Sequence, residues 1–209
     1  LQNIFQRYWA EGGFPETAGL TNDLRIKIHQ EYFHAILFRD LIERHDIPHP
    51  RALMDLAWRL IDNCASLYSI NALTNHLKSL GHKVPKASVS DYLAWFEDAY
   101  FLFSVRLYDA SLSRSNANPK KIYCIDHAMI TSIASGILVN SGHLLENLIF
   151  VTLRRRFTNI FYYKTSAGLE VDFIVKERNR PTLLIQVCET MSNPATAARE
   201  LKALQQAML

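Results

Sequence analysis

No GxxxxGK[ST] phosphate loop occurs in these 209 residues, which excludes nucleotide binding by a P-loop within the chain. Cysteine is scarce: Cys64, Cys124 and Cys188 are widely spaced, odd in number and never form a CxxC pair. That excludes a disulfide framework and a zinc site, and fits the reducing cytoplasm. The eight histidines show no HxH or HExxH spacing and are read as surface or core residues. No apolar run reaches the roughly 18 residues a membrane span needs. No signal peptide opens the chain, so no membrane role is expected. An initiator methionine is absent as well, and "LQNIFQRYWAEGGFPE" reads as the middle of a longer protein.

What is present is ordinary for a folded chain: 49% hydrophobic and 21% charged residues, with a net charge of +3. The small excess of basic residues is unevenly placed. Residues 1–49 hold 5 Lys/Arg against 7 Asp/Glu, residues 50–122 hold 9 against 6, and residues 123–209 hold 9 against 7. This supports mild phosphate affinity in the last two thirds and no more.

Periodicity divides the chain into three predicted units: 1–50, 51–122 and 123–209. In the first, residues 21–46 read as one amphipathic helix, with Leu24, Ile28, Tyr32, Ile36 and Leu37 at helical spacing. Thr21 or Asn22 caps its start, and Pro48 and Pro50 break the chain after it. Arg39 and Asp40 lie four residues from Glu43 and Arg44, a spacing that predicts an ion-pair network. The second unit reads as helices over about 51–62, 70–80 and 88–98, capped at Ser69 and Ser88, then a strand, a polar loop and a second strand. Three short helices followed by a hairpin is the pattern of a winged helix-turn-helix. The third unit reads as a helix over 142–157, strands near 160–164, 169–176 and 182–188, and a helix from about 195: a mixed α/β (α+β) layer arrangement.

The candidate chemistry sits in "GLEVDFIVKERNRPTLLIQVC", Gly168 to Cys188. In a hairpin centred near Asn179, position 172 lies opposite 186, and 170 opposite 188. Alternation then puts Glu170, Asp172, Gln186 and Cys188 on one face, with Glu146 of the preceding helix aimed at the same place. Metal-dependent nucleases use such a layout to hold Mg²⁺ through acids, with a lysine that orients the attacking water. They end the hairpin in Glu-x-Lys, whereas this chain has Gln186-Val187-Cys188. A glutamine brings no charge and a thiol cannot replace an ammonium. Lys164 replaces it if a three-residue turn sets that lysine opposite Glu170; one residue of slippage would turn it away. Cys188 has no histidine partner nearby in sequence and reads as a small strand residue. The same hairpin is equally a half-buried one with its polar side wet.

Nucleic-acid contact is the other candidate. The third helix of the second unit carries Asp91, Glu97 and Asp98 and no basic residue, which argues against base reading. Lys83 and Lys86 before it, and Arg114, Lys120 and Lys121 around the expected wing, suit non-specific contact with DNA phosphates. Arg154, Arg155 and Arg156 are consecutive, so on a helix they point to three sides and form no stripe.

Four short motifs carry a resemblance over nearly the whole chain: "GGFPE" at Gly12–Glu16, "FRDLIER" at Phe38–Arg44, "GHLLENLIF" at Gly142–Phe150 and "GLEVDF" at Gly168–Phe173. In that order they resemble prokaryotic AAA+-like P-loop ATPases whose C-terminal region is the domain of unknown function 4143. The resemblance implies a missing N-terminal core that binds ATP, a winged-helix middle, and a restriction-endonuclease-like C-terminal domain truncated at its end. The expected function is that of an accessory region, binding nucleic acid or a partner beside its own ATPase domain, without ATPase activity and with a degenerate nuclease-like site. The alternatives are a Mg²⁺-dependent DNA nuclease with a variant PD-(D/E)xK site using Glu146, Asp172, Gln186 and Lys164, and a pure interaction scaffold.

Overall fold

A computed structural model describes residues 2–134, 140–177 and 180–208. The turn predicted near Asn179 lies outside the described residues. Helix α1 (Gln2–Glu11) leads through a short 3₁₀ turn, Pro15–Thr17, into α2 (Asn22–Ala35). Then come α3 (Pro50–Asp62), strand β1 (Leu67–Tyr68), α4 (Ile70–Ser79) and α5 (Lys86–Asp98). The middle of the chain continues with β2 (Leu102–Leu107), α6 (Leu112–Ala117), β3 (Lys120–Cys124) and α7 (His127–Ile133). The last part is α8 (Ser141–Arg154), β4 (Ile160–Lys164), β5 (Glu170–Glu177), β6 (Arg180–Ile185) and α9 (Pro194–Ala207). This is the mixed α/β fold that the sequence predicts. No helix among the described residues is long and apolar enough to cross a membrane.

Six strands join in one sheet, in the order β1-β3-β2-β4-β5-β6. All neighbours are antiparallel except β2 and β4, which pair in parallel with Arg106 opposite Phe161 and Leu107 opposite Tyr162. The boundary expected at 122/123 therefore falls inside β3, and the sheet runs across it. One apolar cluster gathers under α2 to α5 and α7, including Leu37, Leu53, Leu56, Leu77, Val89 and Phe96. A second lies between the sheet and α8, where Tyr123 stacks on Phe150 at 4.4 Å between ring centroids and Phe173 closes the group.

Several local expectations are corrected. The helix predicted over 21–46 turns π-helical across Ile36–Glu43. Its buried line is His29, Phe33, Leu37 and Leu41, while Leu24 is exposed. The wider turn shifts the i,i+4 geometry, and no ion pair joins Arg39, Asp40, Glu43 and Arg44, all four of them exposed. Ser69 caps α4 as expected, accepting from the Ala72 amide. Ser88, the other predicted cap, lies inside α5, which begins two residues earlier behind Pro85. The polar loop after β2 contains α6.

Two tethers fix the elements around the candidate site. Asp126 caps α7, its Oδ1 accepting from the Ala128 and Met129 amides, and its Oδ2 accepts from the Gly13 amide at 2.5 Å. Gly12 has φ +84, and a Cβ there would lie 2.6 Å from Asp126 Oδ1, so the "GGFPE" glycine is required by close approach. In α8, buried Asn147 donates to the Cys124 carbonyl at 3.0 Å and accepts from the Cys124 amide at 2.8 Å. That clamp locks α8 to β3.

Candidate functional site

The Asn147 clamp sets the neighbouring Glu146 over β3, where strand alternation turns Lys121 and Tyr123 toward it. On the other side, β5 supplies Glu170 and Asp172. Its register is fixed by a three-residue turn with Gly168 at φ +79, which sets Lys164 opposite Glu170.

Lys121 occupies the centre. Its Nζ lies 2.8 Å from Glu146 Oε1, 2.7 Å from Glu170 Oε1 and 3.0 Å from Asp172 Oδ1, and the residue is 3% exposed. The ammonium donates hydrogen bonds to Glu146 and Asp172 and forms an ion pair with Glu170. Further hydrogen bonds hold the cluster. Tyr123 donates to Glu146 Oε1 at 2.6 Å. Asp172 Oδ2 accepts from Gln186 Nε2 and the Val187 amide, both at 2.9 Å, and Gln186 Oε1 accepts from the Asp172 amide at 3.3 Å.

Three carboxylates around one ammonium leave the cluster with surplus negative charge, and it holds protons tightly. Burial pushes the Glu146 carboxyl up to about 7, with the Asp172 charge adding to it and Lys121 opposing it. Burial opposes the Lys121 ammonium, but the three carboxylates more than reverse this and raise its pKa above the ordinary lysine value. Burial and the Glu146 charge push the Tyr123 phenol well up, so it is a donor.

The predicted residues separate clearly. Glu146, Asp172 and Gln186 do come together. Lys164 stands at the rim, 3.8 Å from Glu170 Oε2. Cys188 turns to the Thr190 carbonyl. Lys121, expected beside Lys120 on an outward wing, is instead buried, because neighbours on a strand face opposite ways. Lys83 and Lys86 are exposed, Lys120 is half-buried, and exposed Arg114 pairs with Asp109 at 3.1 Å. Arg154 lies 4.2 Å over the Phe103 ring, while Arg155 and Arg156 are exposed. Sequence reasoning missed Lys121, Tyr123 and Asn147 as members of the site. Their signal is faint: a lysine two residues from a tyrosine in an otherwise apolar strand, and an Asn inside a helical apolar run.

A cleft of about 400 Å³ opens over Glu146, Glu170, Asp172 and Gln186, with His143 and Arg199 on its walls. Among the described residues, no three His, Cys, Asp or Glu side chains are arranged to hold a metal ion. A divalent cation needs free carboxylate oxygens. Here Lys121 Nζ already occupies the space between the three carboxylates, against one oxygen of each, and Asp172 Oδ2 accepts two hydrogen bonds.

Comparison with known proteins bears on the same regions. The family described as "Domain of unknown function (DUF8612)" matches residues 2–137, well over half of the chain. The chain belongs to that family. Residues 141–209 match a second one, "Domain of unknown function (DUF4143)", so Lys121 lies in one matched segment and its three carboxylates lie in the other. An uncharacterized protein of Methanocaldococcus jannaschii, MJ1544, is 36% identical over 203 residues, covering 94% of this chain and 44% of that protein. An uncharacterized protein of Haemophilus influenzae is 24% identical over 187 residues, covering 90% of this chain and 46% of that protein. The chain thus spans less than half the length of these relatives. No solved structure matches.

Proposed function

We propose that this chain is the accessory, nucleic-acid- or partner-binding region of a larger cytoplasmic P-loop ATPase, and that its nuclease-like hairpin is scaffold and not a metal centre. Lys121 carries the second half of this reading. Its buried ammonium sits within 3.0 Å of three carboxylates, and a Mg²⁺ ion would have to displace it. The nuclease-like layout of helix acid, strand Asp and hairpin is kept, but the charge it was built to hold comes from the chain itself.

Three observations support the first half. Helices α3, α4 and α5, the short β1, and the β2–β3 hairpin in the sheet order β1-β3-β2 suit a winged helix-turn-helix. The matched part is under half of each relative, which leaves room for the ATP-binding core implied by the resemblance. Lys83, Lys86 and Lys120 stand at the surface, where phosphates can reach them. ATP hydrolysis then belongs to the ATPase domain, and this region holds the nucleic acid or partner on which that domain acts.

Calorimetric titration with Mg²⁺ and Mn²⁺, on wild type and Asp172→Ala, with and without duplex DNA, tests the scaffold reading. No metal binding under any of these conditions is expected. Binding by wild type that vanishes in Asp172→Ala would restore the nuclease.

A further inference from the structure

Away from the carboxylate cluster, a groove of about 190 Å³ lies where α4, α5, α6 and β3 converge. Its polar lining comes from Ser69 and Asn71 at the start of α4, Lys86 at the start of α5, Asn116 and Asn118 at the end of α6, and Lys120 at the start of β3. No carboxylate is among its lining residues. Neither lysine has an ion-pair partner among the described residues, although Arg114 nearby is held by Asp109.

The protein also does little to offset these charges at a distance. The first turns of α4 and α5 contain no acid. Lys86 stands at the first residue of α5, where the helix dipole opposes a cation. Burial, with Arg106 adding to it, lowers the Lys120 pKa, while Glu97 opposes the shift. Asn116 accepts from Arg106 through its Oδ1, leaving its amide N–H groups available. Lys120 is also held in place. The next residue, Lys121, is anchored inward by three carboxylates, and alternation on β3 turns Lys120 to the other side.

We infer that this groove receives a backbone phosphate of duplex DNA, gripped by Lys86 and Lys120 with asparagine amides as neutral donors. The inference rests on the nucleic-acid half of the proposed function and locates its contact. Two ammonium groups and neutral amides, with no acid among them, suit an anion that is hydrogen-bonded from several sides. Recognition is independent of sequence, because the outward side of α5 presents Asp91 and Asp98, which repel a phosphate backbone and keep that helix out of the groove of the DNA.

The test is fluorescence anisotropy with two labelled duplexes of unrelated sequence, titrated across salt concentrations. The proteins are wild type, K86Q/K120Q, K86R/K120R and, as an exposed lysine on α2 outside the groove lining, K27Q. Each lost phosphate contact reduces the slope of log affinity against log salt by about 1, so K86Q/K120Q should lose about 2, equally on both duplexes. K86R/K120R and K27Q should keep the wild-type slope. Circular dichroism confirms that each variant is folded. A wild-type slope in K86Q/K120Q overturns the groove and leaves DNA binding to another surface. No DNA binding by wild type overturns both the groove and the nucleic-acid reading. Thermal stabilisation of wild type by inorganic phosphate, lost in K86Q/K120Q and without DNA binding, overturns DNA as the source of the anion.

Discussion

Adjacent lysines on β3 have opposite surroundings: Lys120 is half-buried beside a groove without acids, and Lys121 is buried among three carboxylates. Removing the second leaves those carboxylates without their counter-ion. Lys121→Met should destabilise the fold by about 3–5 kcal/mol, the usual consequence of breaking a buried pair from one side. Thermal melting would show it, and adding Asp172→Asn should recover part of the loss. The cluster also predicts a pH dependence. Glu146 is raised from 4.5 to about 7 in the folded state. Its contribution is therefore fully present below pH 4.5 and is lost as pH rises through about 7, on the order of 3 kcal/mol. Glu146→Gln should flatten that part of a denaturation-versus-pH curve. Lys121 is raised in the folded state, so its contribution is lost only on the alkaline side, above the ordinary lysine range.

At the scale of elements, the Asn147 clamp and the Gly12 approach are the joints to test. Asn147→Ala would leave the buried amide and carbonyl of Cys124 unpaired, and should lower stability by about 2–4 kcal/mol in chemical denaturation. Gly12→Ala combines positive φ with a clash against Asp126 and should lose about 2 kcal/mol. A near-neutral result at either position would mean the joint does not hold. Elements with a plain period were readable: β4 is found at the predicted 160–164, and α3 and α4 within a residue or two. Those missed lack such a period. Helix α6 is six mostly polar residues capped by Ser111, and α7 depends on Asp126, whose other oxygen holds a distant glycine. The π-helical stretch carries the same apolar residues an α-helix would, so its wider turn left no trace in the pattern.

For the whole molecule, the pairing of Asp172 with Gln186 was legible because alternation places them opposite one another, whereas the register shift between Val175 and Lys176 was not, and Glu146, Asp172 and Gln186 meet as that pairing requires. The source of the cation was not legible. It depends on the parallel pairing of β2 with β4, a long-range choice that no local pattern encodes. That pairing and the Lys121 cluster tie residues 2–137 to residues 141–209. The piece 141–209 expressed alone should therefore show no cooperative thermal transition, and a sharp one would contradict the joint fold. Under the proposed scaffold role, Lys121 replaces a metal ion among Glu146, Glu170 and Asp172. Crystals soaked in Mn²⁺ and measured for anomalous scattering test it most directly. No manganese peak is expected among Glu146, Glu170 and Asp172, with Lys121 in place between them. A peak there, with Lys121 pushed aside, would contradict it.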